Sequence, residues 1–162
     1  KACSRLDRML NVTNDPSILS SAGSLARDCG NFEQSLVIFK NIEDKAPHFR
    51  LWFKKDYAWT FLISQYMEKI DNFDEAKFFI NNQLDYQFKE DGINEMWLVM
   101  LAYIASVEGD IDKAKYYFNE QTKMTNPINV IWSNKYPDIL DENPSFRDSF
   151  FSELEKLGLK LK

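Results

Sequence analysis

The feature that most constrains this chain is a pattern that occurs three times along it. The three copies begin at Gly30, Asp71 and Gly109, so they lie 41 and 38 residues apart. Each copy holds a turn, an aromatic or branched residue, a residue that can cap a helix, and then a small side chain where a neighbouring helix approaches. Apolar residues at three- and four-residue spacing precede each copy and predict a first helix before the one that the copy opens. Helix, short turn and helix, repeated in this way, are typical of a solenoid.

The composition favours the same all-α fold class. Of the 162 residues, 44% are apolar and 28% are charged, and the five Gly and five Pro fall at the edges of the periodic segments. That placement fits helices joined by short turns better than a sheet. No apolar run approaches the roughly 20 residues of a membrane-spanning helix. The net charge of -5 disfavours direct nucleic-acid binding, because phosphate contacts need clustered positive charge.

The first repeat, residues 16–49, contains seven residues that together form a recognisable pattern: Leu19, Ala22, Gly23, Gly30, Ser35, Phe39 and Pro47. In type and spacing they match the pattern of the tetratricopeptide repeat family, which this repeat resembles. The resemblance implies a superhelix of antiparallel helix pairs, with further repeats at 57–90 and 95–128. Family units span 34 residues, so the longer spacings imply insertions of 7 and 4 residues, near residues 50–56 and 91–94.

Both ends of the chain extend this interpretation to a single domain over 1–162. Residues 1–15 read as the second helix of a partial repeat, so we expect the chain to begin inside a longer solenoid or at a domain cut. Residues 129–162 leave the repeat pattern and are interpreted as a capping region, with an amphipathic helix over 144–157 that covers the core. This ending is similar to the close of tetratricopeptide regions attached to bacterial winged-helix transcriptional regulators or cyclases.

Little in the sequence favours catalysis. The one histidine, His48, stands beside Pro47 at a repeat junction without Cys, His or paired carboxylates at ligand spacing, and zinc or iron would need several convergent ligands. No nucleophile elbow or glycine-rich phosphate loop is present. Most carboxylates fall at helix starts or polar faces, where capping and solvation account for them. We therefore expect no enzyme activity, no cofactor and no metal.

The two cysteines leave two interpretations open. Cys3 lies near the start of the N-terminal helix and Cys29 near the end of the next, and antiparallel helices bring such ends together. A disulfide is therefore within geometric reach, but two buried thiols that pack as small hydrophobes are the favoured interpretation. Two free thiols favour a cytoplasmic location, whereas a bridge would indicate an oxidising compartment such as a periplasm.

A binding surface is predicted from the resemblance, because such solenoids line a concave groove with side chains of their first helices. Ser17 of the first repeat occupies one of the matching positions. The others are Ser20, Ser24, Arg27, Phe61, Gln65, Glu68, Met96, Val99 and Tyr103. The alternative for each is an ordinary solvated or inter-helix residue. The family's basic clamp for chaperone carboxylates is disfavoured, because serines occupy the first-repeat positions. A mixture of aromatic, Gln and Glu side chains suits an extended peptide or a small amine-bearing or apolar ligand.

These observations predict a non-catalytic module that binds a protein or peptide, or senses a signal, within a larger bacterial regulatory protein. Two alternatives remain. The domain could mediate homo-oligomerisation, because an open solenoid end exposes an apolar face. It could also sense a small molecule for a membrane-anchored transcriptional regulator, which would require a closed pocket between repeats.

Overall fold

The computed structural model describes residues 3–12, 14–49, 51–85, 93–123 and 138–160. Over these ranges the chain is helical and contains no strand, so the predicted all-α class is confirmed for them. The chain divides into two compact units, residues 1–68 and 69–162. The division falls inside the predicted second repeat, 57–90, and the ends of the second and third repeats lie outside the described residues.

The described residues of unit 1 form a short 3-10 helix, Cys3–Arg5, and four α-helices. These are α1 (Leu6–Val12), α2 (Pro16–Asp28), α3 (Phe32–Lys45) and α4 (Leu51–Glu68). Helix α2 packs against α1, α3 and α4, and α3 also packs against α4. The predicted first repeat therefore consists of the helix pair α2 and α3.

Unit 2 contains five described helices. These are α5 (Asp74–Asp85), α6 (Ile93–Val107), α7 (Ile111–Thr122), α8 (Asp138–Glu142) and α9 (Pro144–Lys156). Helix α6 packs against α5, α7 and α9. The terminal helix begins where the sequence predicts it, at Pro144, and ends one residue earlier than predicted. The predicted insertion at 91–94 is described only from Ile93, where α6 begins.

Two of the predicted turns have the same geometry. Gly30 and Gly109 adopt φ values of 78° and 83°, the left-handed conformation that ends many helices. The next residues, Asn31 and Asp110, each donate their backbone N–H to the carbonyl oxygen five positions earlier, at 2.9 Å. Their side chains accept a hydrogen bond from the backbone N–H three positions later, at 3.1 Å. Local chemistry alone thus ends one helix and starts the next.

The third predicted turn has a different local geometry. Lys69 takes the left-handed conformation, with φ of 54°, where the other two turns use glycine. Asn72 accepts a hydrogen bond through Oδ1 from the backbone N–H of Asp74, at 2.8 Å. The Asn72 side chain therefore caps the start of α5, a role that the residue immediately before a helix usually has.

Helices α2 and α3 approach closely at Gly23. A Cβ atom at that position would lie 2.5 Å from Cε1 of Phe39, a fully buried ring. The Ser35 hydroxyl, also buried, donates a hydrogen bond of 2.7 Å to the carbonyl oxygen of Gly23. Small residues at the predicted positions therefore allow the two backbones to meet.

Residues 51–56 of the predicted insertion lie in a helix, and residue 50 lies outside the described residues. Helix α4 begins at Leu51 and runs for 18 residues, so residues 51–56 form its start. Phe53 and Tyr57 are buried there and pack around Phe39, with ring centroids 5.5 and 5.8 Å from its own. The aromatic side chains of Phe53 and Tyr57 are therefore core.

The core of unit 2 forms around α6. Tyr103 is 2% exposed, and its ring lies 5.7 Å from that of Phe146 and 5.0 Å from that of Phe150, both on α9. The Ser106 hydroxyl donates a hydrogen bond of 2.6 Å to the Glu153 carboxylate, which also ties α9 to α6. The terminal helix therefore packs over this part of the core.

A disulfide joins Cys3 to Cys29, with the two Cα atoms 5.9 Å apart. Of the two interpretations left open by the sequence, the structure has the bridge, and neither cysteine is a free thiol. Among the described residues, no helix is long and apolar enough to cross a membrane.

Candidate binding surface

A polar cluster lies where α2 meets α4 in unit 1. The Ser24 hydroxyl donates a hydrogen bond of 3.1 Å to Oδ2 of Asp56. The Arg27 guanidinium lies beside the same carboxylate, with Nη1 3.8 Å from Oδ1. Two of the residues predicted for the binding groove, Ser24 and Arg27, therefore come together, and they contact a residue of α4.

One cation serves two carboxylates in this cluster. Arg27 also donates from Nε to Oδ1 of Asp28, at 3.0 Å. The Arg27 side chain is 8% exposed and that of Asp56 is 31% exposed. Because the site holds one positive and two negative groups, it carries a net charge of -1 when both carboxyls are ionised. A cationic ligand group would meet an attractive field there.

The pKa of the Asp56 carboxyl is raised above its ordinary value. Burial is the largest cause, because it disfavours the charged form. The Arg27 charge and the Ser24 hydrogen bond lower the pKa, and the Asp28 charge raises it. The cluster therefore compensates the desolvation of Asp56 only in part, and an additional cation would stabilise the ionised form.

A second part of the predicted groove lies on the C-terminal half of α4. Phe61, Gln65 and Glu68 are spaced so that they share one face of the helix. Phe61 is half-buried, with its ring stacked 5.0 Å from that of Tyr57. Gln65 is buried and Glu68 is exposed. This face offers an apolar ring and a carboxylate to a ligand.

Three predicted groove residues lie in the core of unit 2. Met96, Val99 and Tyr103 are buried, and α9 covers the Tyr103 ring. The expectation of an open groove at these positions is therefore corrected. The mapping from the family pattern assumes a free inner face, whereas here the terminal helix packs on α6.

Ser20 requires a similar correction in unit 1. It is fully buried, and its hydroxyl donates to the backbone carbonyl of Ser17 at 3.4 Å. Its hydrogen bond is thus made within its own helix, while Ser24, one turn further on, reaches α4. Of the nine predicted groove residues, Ser24, Phe61 and Glu68 keep substantial exposure, and Arg27 is held in the ionic cluster.

Sequence reasoning missed Asp28 and Asp56. Asp56 falls in the stretch interpreted as an insertion, and Asp28 is the last residue of α2. The available signal was Arg27 itself. An arginine at a position predicted to face another helix requires a carboxylate partner if it becomes buried.

The cluster contains one hydroxyl, one guanidinium and two carboxylates. His48 is exposed and lies after α3. In the part of the chain that the structure describes, no group of three or more His, Cys, Asp or Glu side chains is arranged to hold a metal. Ser24, Arg27, Asp28 and Asp56 can donate, accept and carry charge, which suits recognition.

Comparison with known proteins adds no assignment: no protein-family model, curated protein or solved structure matches the chain.

Proposed function

We propose that the chain is a non-catalytic binding module with tetratricopeptide-like helix pairs, and that the α2–α4 face of unit 1 binds a peptide segment of a partner protein. One observation carries the proposal. Ser24 and Arg27 of α2 contact Asp56 of α4, so the first helices of two predicted repeats lie side by side. In the family that the sequence resembles, first helices line the ligand groove.

The chemistry of this face favours a peptide with a basic side chain next to an apolar one. Asp56 is partly exposed and lies in a cluster with excess negative charge. Glu68 adds an exposed carboxylate, and the Phe61 ring offers apolar area. A lysine or arginine of the ligand would pair with a carboxylate, while an apolar neighbour packs on the ring.

Two matched pools of fluorescent peptides test this proposal by anisotropy. One pool carries Arg and Leu at fixed positions, and the other carries Glu and Leu. We expect tighter binding of the basic pool. Asp56→Asn should weaken binding of the basic pool about fivefold, because a partly exposed ion pair between Asp56 and the peptide would contribute roughly 1 kcal/mol. Phe61→Ala should also weaken binding through the lost apolar contact.

Asp138→Asn is the matched control, because it removes the same charge from an exposed position of unit 2. It should bind the basic pool like the parent chain. Equal affinity for the two pools, or an equal effect of Asp56→Asn and Asp138→Asn, would reject this surface. Circular dichroism of each variant confirms that the helices remain folded.

Self-association is the second candidate function, favoured by large apolar side chains at the surface of unit 2. Phe78 is 71% exposed and Tyr116 is 59% exposed. Burying such rings in a dimer would contribute about 1.5–3 kcal/mol for each fully buried side chain. Light scattering over a range of concentrations should then show a dimer that Phe78→Ser dissociates. A monomer at every concentration would eliminate this candidate.

The disulfide supports a proposal about compartment. Bridges persist in oxidising surroundings and are rare where glutathione and thioredoxin keep thiols reduced. We therefore propose that the chain works in an oxidising compartment. Alkylation before lysis, followed by intact-mass measurement, should find Cys3 and Cys29 unmodified, whereas two alkylated thiols would contradict the proposal.

A further inference from the structure

The N-terminal strap, defined as residues 3–12, is held to the rest of unit 1 at its two ends. At one end Cys3 is bonded to Cys29, across 26 positions of sequence. At the other end the chain continues into Asp15, whose side chain accepts a hydrogen bond from the backbone N–H of Ser17 and so starts α2. Between these points α1 packs on α2.

The packing of the strap is thin. Its 3-10 helix contains no buried residue. In α1, over residues 6–11, Leu6 is the one buried side chain, Met9 and Leu10 are half-buried, and the other side chains are exposed. Helix α1 has seven residues, well below the roughly 12–15 at which an isolated helix becomes even marginally stable. Apolar contacts therefore attach the strap only weakly, and the disulfide provides much of its attachment to the rest of unit 1.

The Cys29 end of the bridge is held independently. Cys29 donates its backbone N–H to the carbonyl of Leu25 at 3.0 Å, and Gly30 donates to that of Arg27 at 2.8 Å. Asn31 donates to Ala26 at 2.9 Å. These bonds close the C-terminus of α2 without the disulfide. Cleavage of the bridge should consequently leave α2 intact and free the strap alone.

We propose that Cys3–Cys29 is a thiol–disulfide exchange site for a dithiol reductant, and that its reduction releases the strap from α2. Cys3 is exposed, whereas Cys29 is half-buried, so access favours attack on the sulfur of Cys3. A thiolate of the reductant bonds to Cys3 Sγ while the S–S bond breaks and Cys29 leaves as a thiolate, which takes a proton.

The second thiol of the reductant completes the reaction. It loses its proton, attacks the reductant's own sulfur in the mixed disulfide, and displaces Cys3 as a thiolate, which is then protonated. The reductant becomes a disulfide, and two electrons and two protons end on the two cysteines. The product is a reduced chain in which no covalent bond joins Cys3 to Cys29.

Dithiothreitol is the probe, and two readouts follow its action on the native protein. Alkylation and intact mass measure reduction of the bridge. Limited trypsin digestion measures release of the strap, which carries Arg5 and Arg8 on exposed positions. Cleavage after Lys40 of α3, also exposed, is the internal reference. Reduction should occur without denaturant and raise cleavage in the strap roughly tenfold, because the bridge holds the strap at a high effective concentration beside α2.

The variant C3S/C29S reproduces the reduced state, and Leu6→Ala tests packing with the bridge intact. We expect fast strap cleavage in C3S/C29S with or without dithiothreitol, and slow cleavage in oxidised Leu6→Ala. Cleavage after Lys40 should change less than about twofold in every case, as local opening requires. The proposal is overturned if the bridge reacts only in denaturant, if strap cleavage is unchanged by reduction, or if cleavage after Lys40 accelerates with it.

Discussion

Gly23→Ala tests the close approach of α2 and α3. The added Cβ would lie 2.5, 2.8 and 3.0 Å from three carbon atoms of the Phe39 ring, where ordinary contact begins at 3.4 Å. The ring is fully buried and packs against Phe53 and Tyr57. It therefore has little room to move away from the new methyl group.

The expected cost follows from two opposing effects. Overpacking of a tight core costs about 1–3 kcal/mol, and the gap here is short by 0.9 Å against a ring that neighbours hold, so the upper part of this range applies. Replacing glycine with alanine inside a helix returns up to about 1 kcal/mol. The net loss should be about 2 kcal/mol, which lowers a urea midpoint by roughly 1 M.

Urea denaturation monitored by circular dichroism measures this loss. Ser21→Ala, at an exposed position of the same helix, should stay within about 0.5 kcal/mol of the parent. Phe39→Leu removes the ring, so Gly23→Ala should cost much less in that background, a coupling that a double-mutant cycle quantifies. If Gly23→Ala is as stable as the parent chain, the claimed contact between the two helices is wrong.

Three further predictions concern ion pairs and burial. Lys54→Met removes the partner of Glu43, whose carboxylate lies 2.8 Å from the lysine Nζ. Because this leaves a partly buried carboxylate unpaired, the unfolding free energy measured in urea should fall by about 2–3 kcal/mol. Burial alone would raise the pKa of Glu153, but hydrogen bonds from Lys156 and Ser106 outweigh it and lower the pKa below its ordinary value. Because the folded pKa is below the unfolded one, Glu153 stabilises the fold above the unfolded pKa and loses this contribution as pH falls through the folded pKa. The stability gap between parent and Glu153→Gln should therefore close on acidification, and a gap that does not change with pH would contradict this. Tyr103→Ala should cost about 3–5 kcal/mol, since its ring is core, and Phe61→Ala should cost clearly less; equal losses in urea titrations would contradict the burial difference.

Local features of the fold follow from the sequence because neighbours along the chain decide them. Gly30 and Gly109 supply the left-handed conformation that a helix end requires, and Asn31 and Asp110 supply the cap of the next helix. Such interactions span a few residues. The positions of the turns, and the start of the terminal helix at Pro144, are therefore readable without tertiary information.

Burial and ion-pair partners depend on contacts between distant elements. Val99 and Tyr103 have the types and spacing of first-helix residues, but α9 decides whether that face is open or covered. Asp56 lies 32 positions from Ser24, and no periodic pattern links a carboxylate to an arginine on another helix. The same limit applies to residues 51–56, whose apolar and aromatic side chains fit an inserted segment as well as the first turns of a longer helix.

Photo-crosslinking tests the binding surface most directly. Phe61 and Phe78 are replaced in turn by a photoreactive phenylalanine analogue, which places one probe on the proposed face of α4 and a matched probe on an exposed position of α5. With the Arg- and Leu-containing peptide pool bound, irradiation should attach peptide to the chain through position 61, and excess unlabelled peptide should compete with it. Attachment through position 78 alone, or equal attachment at both positions, would contradict a binding site on the α2–α4 face.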